Sequence, residues 1–233
     1  ESNNKLLRLE NLVERIVEER TLELNKKNQA LEQFAYIASH DLQEPLRKIH
    51  IFSELIEDNA DDEQVLKINL SKIKSSALRM TQLVRDILHY SRLSNTEEQF
   101  TDIDINKIIQ TIEVDFELLI SEKKAVIKYS ALPVIKGISV QLYQLFLNLI
   151  SNSLKFCDKN PLIKISAITL TDYEVKQLPF LNDKSKYIKF IVMDNGIGFE
   201  SKYAENIFNL FHRLNDHAQY SGTGIGLALC RKI

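Results

Sequence analysis

The sequence predicts an all-α helical hairpin, or coiled coil, followed by an α/β domain. Three observations support this fold class. The first 136 residues contain no glycine, whereas five of the six glycines fall within the last 40 residues. Apolar residues recur with a helical period through most of the first 93 residues. Strand-like and helix-like stretches alternate after residue 100, so only the second half needs tight backbone turns.

The composition is that of an ordinary globular protein. Of the 233 residues, 44% are hydrophobic and 27% are charged, and the net charge is −2. This balance gives no electrostatic reason to expect nucleic acid as a partner. No apolar run reaches the roughly 18 residues that a membrane-spanning helix needs. Because the chain starts at Glu1 rather than at a methionine, we expect a piece of a longer protein, whose upstream part has room for a membrane segment or a sensor domain. A cytoplasmic location is expected for the piece itself.

Two long amphipathic helices are predicted for residues 4–57 and 63–93, joined by a polar break. From residue 24 onward the core positions of the first helix alternate in steps of four and three. These positions are Leu24, Asn28, Leu31, Ala35, Ala38 and Leu42. An upstream set with the same alternation is one residue out of register, which indicates either an ordinary imperfect coiled coil or a signalling joint. One hairpin cannot bury its apolar stripe alone, so we expect a homodimeric four-helix bundle.

The second domain is predicted from alternating element types after a polar linker. The expected helices and strands are helix 104–121, strand 125–130, helix 140–156, strand 163–170 and strand 187–193.

Two glycine motifs follow in this domain. The stretch "IVMDNGIGF" (residues 191–199) is a buried strand that runs into a turn, and "SGTGIGLAL" (221–229) places three glycines at the start of a helix. Backbone amides free of Cβ atoms at such a start can bind phosphate. Neither motif fits a Walker loop or a dinucleotide-binding fingerprint, and each taken alone is better explained by simple turns than by a nucleotide site.

A third element lies on the helix "QLFLNLISNSLKF" (144–156). Its spacing places Asn148, Asn152 and Lys155 on one helical face. Asparagine oxygens are hard ligands suited to Mg²⁺, and a lysine can hold a phosphate. The alternative is a polar face turned towards solvent, which would be preferred if the glycine motifs were absent.

Together with "FAYIASHDLQEPLRKI" (34–49) and "IFNLFHRL" (207–214), these motifs resemble the catalytic core of two-component sensor histidine kinases. The phospho-acceptor box is most similar to that of phytochrome-like and hybrid kinases. The N box, two glycine boxes and F box resemble those of the ATP-binding domain shared with chaperone, topoisomerase and mismatch-repair ATPases. The five motifs occur in the family's order. The resemblance implies an α/β sandwich with a mixed sheet and helices on one face.

The resemblance also implies roles for individual residues. His40 would accept the γ-phosphoryl group of ATP, with Asp41 as its acid/base partner. Asn148 and Asn152 would bind Mg²⁺. Asp194 would accept a hydrogen bond from the adenine amino group. The remaining residues expected to bind or enclose the nucleotide are Lys155, Phe156, Gly196, Gly198, Phe208, Phe211, Arg213, Gly222, Thr223, Gly224 and Gly226.

The implied organisation is a signalling coiled coil (1–24), a dimerisation and phosphotransfer hairpin (25–94), a linker (95–100) and an ATP-binding domain (101–233). The implied partner is the receiver domain of a response regulator. Because the family's ATP-binding domain has further strands beyond its counterpart of residue 233, we expect the natural protein to continue.

Residue chemistry adds to this interpretation. Counting from Leu42, His40 falls at the exposed f position of the heptad, where a phosphate can reach it. Pro45 lacks an amide hydrogen, so the helix is expected to bend just after the reactive pair. Glu44 stands where many relatives have Thr or Asn that orients water, so we expect no efficient phosphatase activity.

Two alternatives remain open at this point. One is an ATPase clamp, which is disfavoured because the water-activating glutamate of such enzymes is replaced by Asn148. The other is a catalytically inactive dimerisation module.

Overall fold

A computed structural model describes residues 2–92, 99–158, 160–178, 180–182, 185–214, 220 and 222–233. The chain forms two compact units, Glu1–Val84 and Arg85–Ile233. Most of the expected linker (95–100) lies outside the described residues, and so do the side chains of residues 2–12 in the expected signalling segment. Among the described helices, none combines the length and apolarity needed to cross a membrane.

Two long helices, α1 (Ser2–Asp58) and α2 (Glu63–Arg92), follow each other across a short turn. Asn59 ends α1 by donating its side-chain amide to the Leu55 carbonyl oxygen (2.9 Å). Asp62 caps α2, because its Oδ1 accepts hydrogen bonds from the backbone amides of Gln64 (2.9 Å) and Val65 (3.1 Å). The predicted polar break therefore supplies both helix caps.

Side-chain contacts in the first unit identify an antiparallel hairpin. Arg79 Nη2 lies 3.4 Å from Glu44 Oε2, and the Lys72 ammonium lies 4.8 Å from the centre of the Phe52 ring. In each pair the two residues lie about equally far along the chain from the turn between α1 and α2, as expected of antiparallel helices. Large apolar side chains nevertheless remain exposed along both helices, including Leu24 (61%) and Leu78 (62%).

The second unit contains short strands interleaved with helices. Its strands are β1 (Thr101–Asp104), β2 (Val126–Tyr129), β3 (Val134–Gly137), β4 (Leu162–Thr169) and β5 (Ile188–Met193). Its helices are α3 (Ile105–Asp115), α4 (Glu117–Lys123), α5 (Ser139–Lys155), α6 (Asp172–Lys176) and α7 (Gly226–Lys232). Two 3₁₀ turns, Ser201–Tyr203 and Asn206–Phe208, precede α7.

The strands form a mixed sheet, as expected. β4 is the central strand of the order β2-β4-β5, parallel to β2 and antiparallel to β5, while β1 and β3 pair separately as an antiparallel ribbon. Ile163 and Ile165 of β4 are buried, whereas the intervening Lys164 is exposed. The sheet therefore packs its helices on one face, and the predicted fold class is confirmed.

The core of the second unit joins α3, α5 and the covered face of the sheet. Its fully buried members include Ile109 of α3 and Phe146, Ile150 and Leu154 of α5. The Phe146 ring meets the edge of Phe190 from β5, with 5.5 Å between ring centres. Helix α5 is thus held in the core on one face, which leaves its other face available for chemistry.

The structure differs from the predicted elements in the first part of the second unit. The helix expected at 104–121 is divided at Phe116, whose backbone (φ −103°, ψ 13°) ends α3 before α4 begins. Strands β1 and β3 were not predicted, because each has only four residues and gains its stability from pairing with the other. Helix α1 continues through Pro45 without interruption, and the expected bend stays a prediction.

We expect Phe146→Ala to lower the unfolding free energy of the second unit by about 3–5 kcal/mol, because it removes a fully buried ring and leaves a cavity. Hydrogen exchange of the β4 amides at increasing urea concentration measures this. Leu118→Ala is the matched control, since Leu118 is 80% exposed and its truncation should cost less than about 0.5 kcal/mol. Equal effects of the two variants would contradict the assigned core.

Candidate active site

His40 and Asp41 form an exposed pair on α1. The His40 side chain is 70% exposed, the Asp41 side chain is 23% exposed, and Nδ1 of the ring lies 3.1 Å from Asp41 Oδ1. In the neutral ring with the proton on Nδ1, this contact is a hydrogen bond and Nε2 keeps its lone pair. The pair therefore presents an oriented nitrogen nucleophile to solvent, at the position that the heptad predicted.

Glu44, one turn after His40, belongs to an ion-pair cluster. Lys48 Nζ donates to its Oε1 at 2.8 Å, and Arg79 Nη2 of α2 lies 3.4 Å from its Oε2. The next residue, Pro45, is fully buried. The Glu44 carboxylate thus links the two helices of the hairpin beside the reactive pair.

The polar face of α5 carries the predicted asparagines and lysine. Asn148 Oδ1 accepts a hydrogen bond from Gln144 Nε2 (3.2 Å), and Asn148 Nδ2 donates to the Gly226 carbonyl oxygen (3.3 Å). Asn148 therefore lies against the first residue of α7. Asn152 and Lys155 follow along the same face, so the structure brings the N-box residues to the second glycine motif.

Lys155, on the same face of α5, has a pKa well below that of an ordinary lysine. Burial, and secondarily the positive charge of Arg213, lower the pKa of Lys155 to about 8. Its ammonium lies 4.2 Å from the centre of the Phe156 ring. A Cβ atom added to Gly222 would lie only 2.7 Å from Lys155 Nζ, so the second glycine motif lies directly over the ammonium.

Arg213 completes a pair of cations at this place. Its Nη1 donates to the Gly222 carbonyl oxygen at 2.8 Å, and its Nη2 donates to the Tyr220 carbonyl oxygen. Two neighbouring cations repel each other, which adds to the effect of burial in lowering the pKa of Lys155. An anion between them would relieve that repulsion, and a phosphate group has the charge and geometry to do so.

The first glycine motif is built around Asp194 and Phe156. Asp194 Oδ1 accepts from the Gly196 amide (2.9 Å), and its Oδ2 accepts from the Ser153 hydroxyl (3.0 Å). A Cβ atom on Gly196 would lie 2.7 Å from the Phe156 carbonyl oxygen, which accepts the Ile197 amide at 3.0 Å. Glycine is required here because two backbone segments approach closely.

The second glycine motif and the F-box segment touch through their backbones. Gly224 adopts φ +77°, and a Cβ atom there would lie 2.8 Å from the Phe211 carbonyl carbon. Phe211 is itself left-handed (φ +61°), which is unusual for an aromatic residue. Phe208 lies in the second 3₁₀ turn, which packs on α7. Gly198 (φ +61°) has open space around it, so its conformation rather than its packing favours glycine.

Sequence reasoning missed Tyr220 as a neighbour of the site. Its ring centre lies 5.0 Å from that of Phe156, and its hydroxyl donates to Asp158 Oδ1 at 3.1 Å. Ser153, which holds Asp194, was also missed. No spacing rule could have found these side-chain contacts of Tyr220, because Asp158 and Phe156 lie more than 60 residues before it in the chain.

Comparison with protein families accounts for both units. Residues 30–96 match the "His Kinase A (phospho-acceptor) domain" and residues 137–233 match the "Histidine kinase-, DNA gyrase B-, and HSP90-like ATPase". The chain belongs to the histidine kinase family. The matched ranges contain the His40–Asp41 pair and the polar face of α5 with both glycine motifs, respectively.

Curated relatives of this histidine kinase chain include phytochrome-like proteins. It is 36% identical over 214 residues to "Phytochrome-like protein Cph1" of Synechocystis sp., covering 90% of this chain and 27% of that protein. It is 35% identical over 223 residues to "Cyanobacterial phytochrome B" of Nostoc sp., covering 91% and 27%. The chain thus spans about a quarter of the length of these relatives.

Solved histidine kinases share the fold. The Acinetobacter baumannii histidine kinase AdeS matches with a TM-score of 0.57 at 18% identity, over 83% of this chain and 84% of that one. Histidine kinase ThkA, solved in complex with the response regulator protein TrrA, matches with a TM-score of 0.61 at 19% identity, over 83% and 54%. The ATPase family match implies that this chain binds ATP.

The pKa of Lys155 predicts how ATP affinity depends on pH. With a pKa of about 8, Lys155 is a cation below that pH and loses its charge as pH rises through it. We therefore expect the Kd for ATP to increase as pH rises past about 8. A phosphate bound beside Lys155 would raise its pKa, so binding near this pH should take up protons.

Lys155→Arg is the matched variant, because a guanidinium stays charged throughout this range and should abolish the pH dependence. Lys155→Met should bind ATP weakly at every pH. Isothermal titration calorimetry in two buffers of different ionisation enthalpy measures both the Kd and the proton uptake. The role of Lys155 fails if the wild type and Lys155→Arg have the same pH profile.

Proposed function

We propose that this chain autophosphorylates His40 with ATP and then passes the phosphoryl group to an aspartate of a response-regulator receiver domain. The exposed His40–Asp41 pair, with Nδ1 and Oδ1 3.1 Å apart, is the observation that carries this proposal. The pair lies within the range that matches the phospho-acceptor domain, and it offers the nucleophile to which a nucleotide site could pass a phosphoryl group.

The His40 ring acts as the nucleophile. Its Nε2 attacks the γ-phosphorus, and a nitrogen–phosphorus bond forms while the bond to the oxygen bridging the β-phosphate breaks. ADP leaves with that electron pair. Asp41 Oδ1 accepts the hydrogen bond from Nδ1–H and stabilises the positive charge that develops on the ring. In the second step, an aspartate carboxylate attacks the phosphorus and the electron pair of the broken bond returns to Nε2.

ATP would be held by the polar face of α5 and by the glycine motifs. Lys155 and Arg213 would neutralise phosphate oxygens, and the amides around Gly222 would donate hydrogen bonds to them. Asp194 would accept from the adenine amino group, since each of its oxygens has a second lone pair beyond the bonds from Gly196 and Ser153. The Phe156 and Tyr220 rings supply an apolar wall beside this place.

The donor set on α5 fits Mg²⁺ bound together with nucleotide. Asn148 and Asn152 would hold the ion through neutral amide oxygens, which leaves its charge to be balanced by phosphate oxygens. Asn148 Oδ1 already faces a donor, the Gln144 amide, and so is oriented as an acceptor. When bound, the ion would neutralise charge that develops on the phosphates.

A kinase is favoured over a hydrolysing clamp because α5 offers no carboxylate to activate water. Asn148 occupies the position of the hydrolytic glutamate, and its amide is engaged by Gln144 and Gly226. A phosphoryl group leaving ATP therefore has the His40 ring as its acceptor, rather than an activated water.

The assembly we propose is a homodimer that pairs two hairpins through their exposed apolar residues, such as Leu24 and Leu78. The domain limits given in the sequence analysis, a cytoplasmic location, and an upstream sensor segment are proposals of the same kind. The complex of histidine kinase ThkA with the response regulator protein TrrA supports a response regulator as the partner of this chain.

Incubation with γ-labelled ATP and Mg²⁺ should place an acid-labile, base-stable label on the chain. We expect His40→Ala to abolish the label. His50→Ala is the matched control, since His50 lies on the same helix with a similarly exposed side chain (74%) and should leave labelling unchanged. Phosphate release without label would instead identify an ATPase clamp, and neither label nor release would identify an inactive dimerisation module.

We also propose that the chain is a poor phosphatase. The Glu44 carboxylate brings negative charge close to the phosphoryl site and, when ionised, cannot donate a hydrogen bond to orient water. Its contacts with Lys48 and Arg79 hold the carboxylate within the hairpin.

Release of phosphate from a receiver domain phosphorylated by this chain, then purified from nucleotide, tests this directly. We expect the wild type not to accelerate release above the receiver's own rate, and Glu44→Asn to accelerate it. Arg79→Met controls for loss of the ion pair alone and should leave release slow. Rapid dephosphorylation by the wild type would show the proposal wrong.

A further inference from the structure

The second glycine motif is tied to the end of α2 by a hydrogen bond that the proposed function does not use. Thr223 Oγ1 donates to Asp86 Oδ2 at 2.5 Å. Both residues belong to the unit Arg85–Ile233, which includes the last two turns of α2. Thr223 lies between Gly222 (φ +150°) and Gly224 (φ +77°), so its backbone can change shape more easily than that of most residues.

Helix α7 is fixed to the same part of α2. Lys232 Nζ donates to the Tyr90 carbonyl oxygen at 2.6 Å and lies 3.8 Å from the centre of the Tyr90 ring. That carbonyl belongs to the last turn of α2, at the negative end of the helix dipole, so a cation is favourable there. Asp86 and Tyr90 are four residues apart and lie on one face of α2.

The Asp86 contact and a bound nucleotide compete electrostatically. Lys155 Nζ and Arg213 Nη1 both approach Gly222, the residue next to Thr223. A phosphate chain bound by these cations would place several negative charges close to the Asp86 carboxylate. The hydrogen bond from Thr223 to Asp86 is therefore less favourable with nucleotide bound than without it.

We propose that Asp86 is a positioning residue that latches the second glycine motif to α2 until a nucleotide displaces it. The inference rests on the proposed function, because it requires phosphate to bind beside Gly222. By thermodynamic reciprocity, whatever holds Asp86 against Thr223 weakens nucleotide binding, and nucleotide binding weakens the hold of the second glycine motif on Asp86.

The chain contains no tryptophan, so Tyr90→Trp introduces a single fluorescent reporter whose ring can keep the cation contact with Lys232. Addition of the β,γ-imido analogue of ATP with Mg²⁺ to the full Tyr90→Trp chain should shift the indole emission. In this background, Asp86→Ala should show the shifted emission before nucleotide is added. It should also bind the analogue about fivefold more tightly, because no hydrogen bond has to be released.

Asp86→Asn keeps an acceptor for the Thr223 hydroxyl but not the charge. Its emission and affinity should lie between those of the Tyr90→Trp chain with Asp86 intact and those of Asp86→Ala. Tyr173→Trp, at a 74% exposed tyrosine on α6, is the control and should show no shift. Calorimetry on Asp86→Ala with Tyr90 intact gives the affinity without the reporter.

Weaker binding by Asp86→Ala would overturn the latch and leave the proposed function standing. So would an unchanged emission from the Tyr90→Trp chain while the analogue binds. Failure of the wild type to bind the analogue would overturn the proposed function and the latch with it.

Discussion

The Lys155 ammonium is the group around which the second unit is arranged. It is partly buried, it lies near a second cation, Arg213, and its pKa falls to about 8 as a result. Such a group is unfavourable unless something compensates for it. Glycine at 222 leaves space above the ammonium that any Cβ atom would fill. The proposed binding of a phosphate beside Lys155 would account for the burial, the second cation and the glycine together.

The position of Lys155 follows from the two faces of α5. Phe146, Ile150 and Leu154 fix one face in the core, and the helical period then places Asn148, Asn152 and Lys155 on the other. Ser153, at the border of the two faces, holds Asp194 and so connects α5 with the first glycine motif. The core and the proposed nucleotide site thus share one helix, and a change in core packing would also move the polar face.

The sequence predicted the features that depend on residue spacing within one helix or turn. It predicted few of the contacts between residues that are far apart in the chain. The face of α5, the turns at the glycines and the polar break at 58–62 follow from local rules, and the structure agrees with them. The ribbon of β1 with β3, the division at Phe116 and the contact of Tyr220 with Phe156 depend on residues far apart in the chain. The Asp86–Thr223 hydrogen bond, across 137 residues, is the extreme case. One chain without an alignment carries no signal for such pairs.

The two halves of the chemistry differ in what they need from the fold. His40 and Asp41 are neighbours on a single helix, so their contact depends only on the local conformation of α1. The proposed nucleotide site instead joins α5, both glycine motifs and the segment of Arg213, and these elements meet through contacts between residues far apart in the chain. Regulation therefore has little to change at the nucleophile. ATP binding, in contrast, can be regulated through several contacts. The proposed contact of Asp86, in the last turns of α2, with the second glycine motif is one of them.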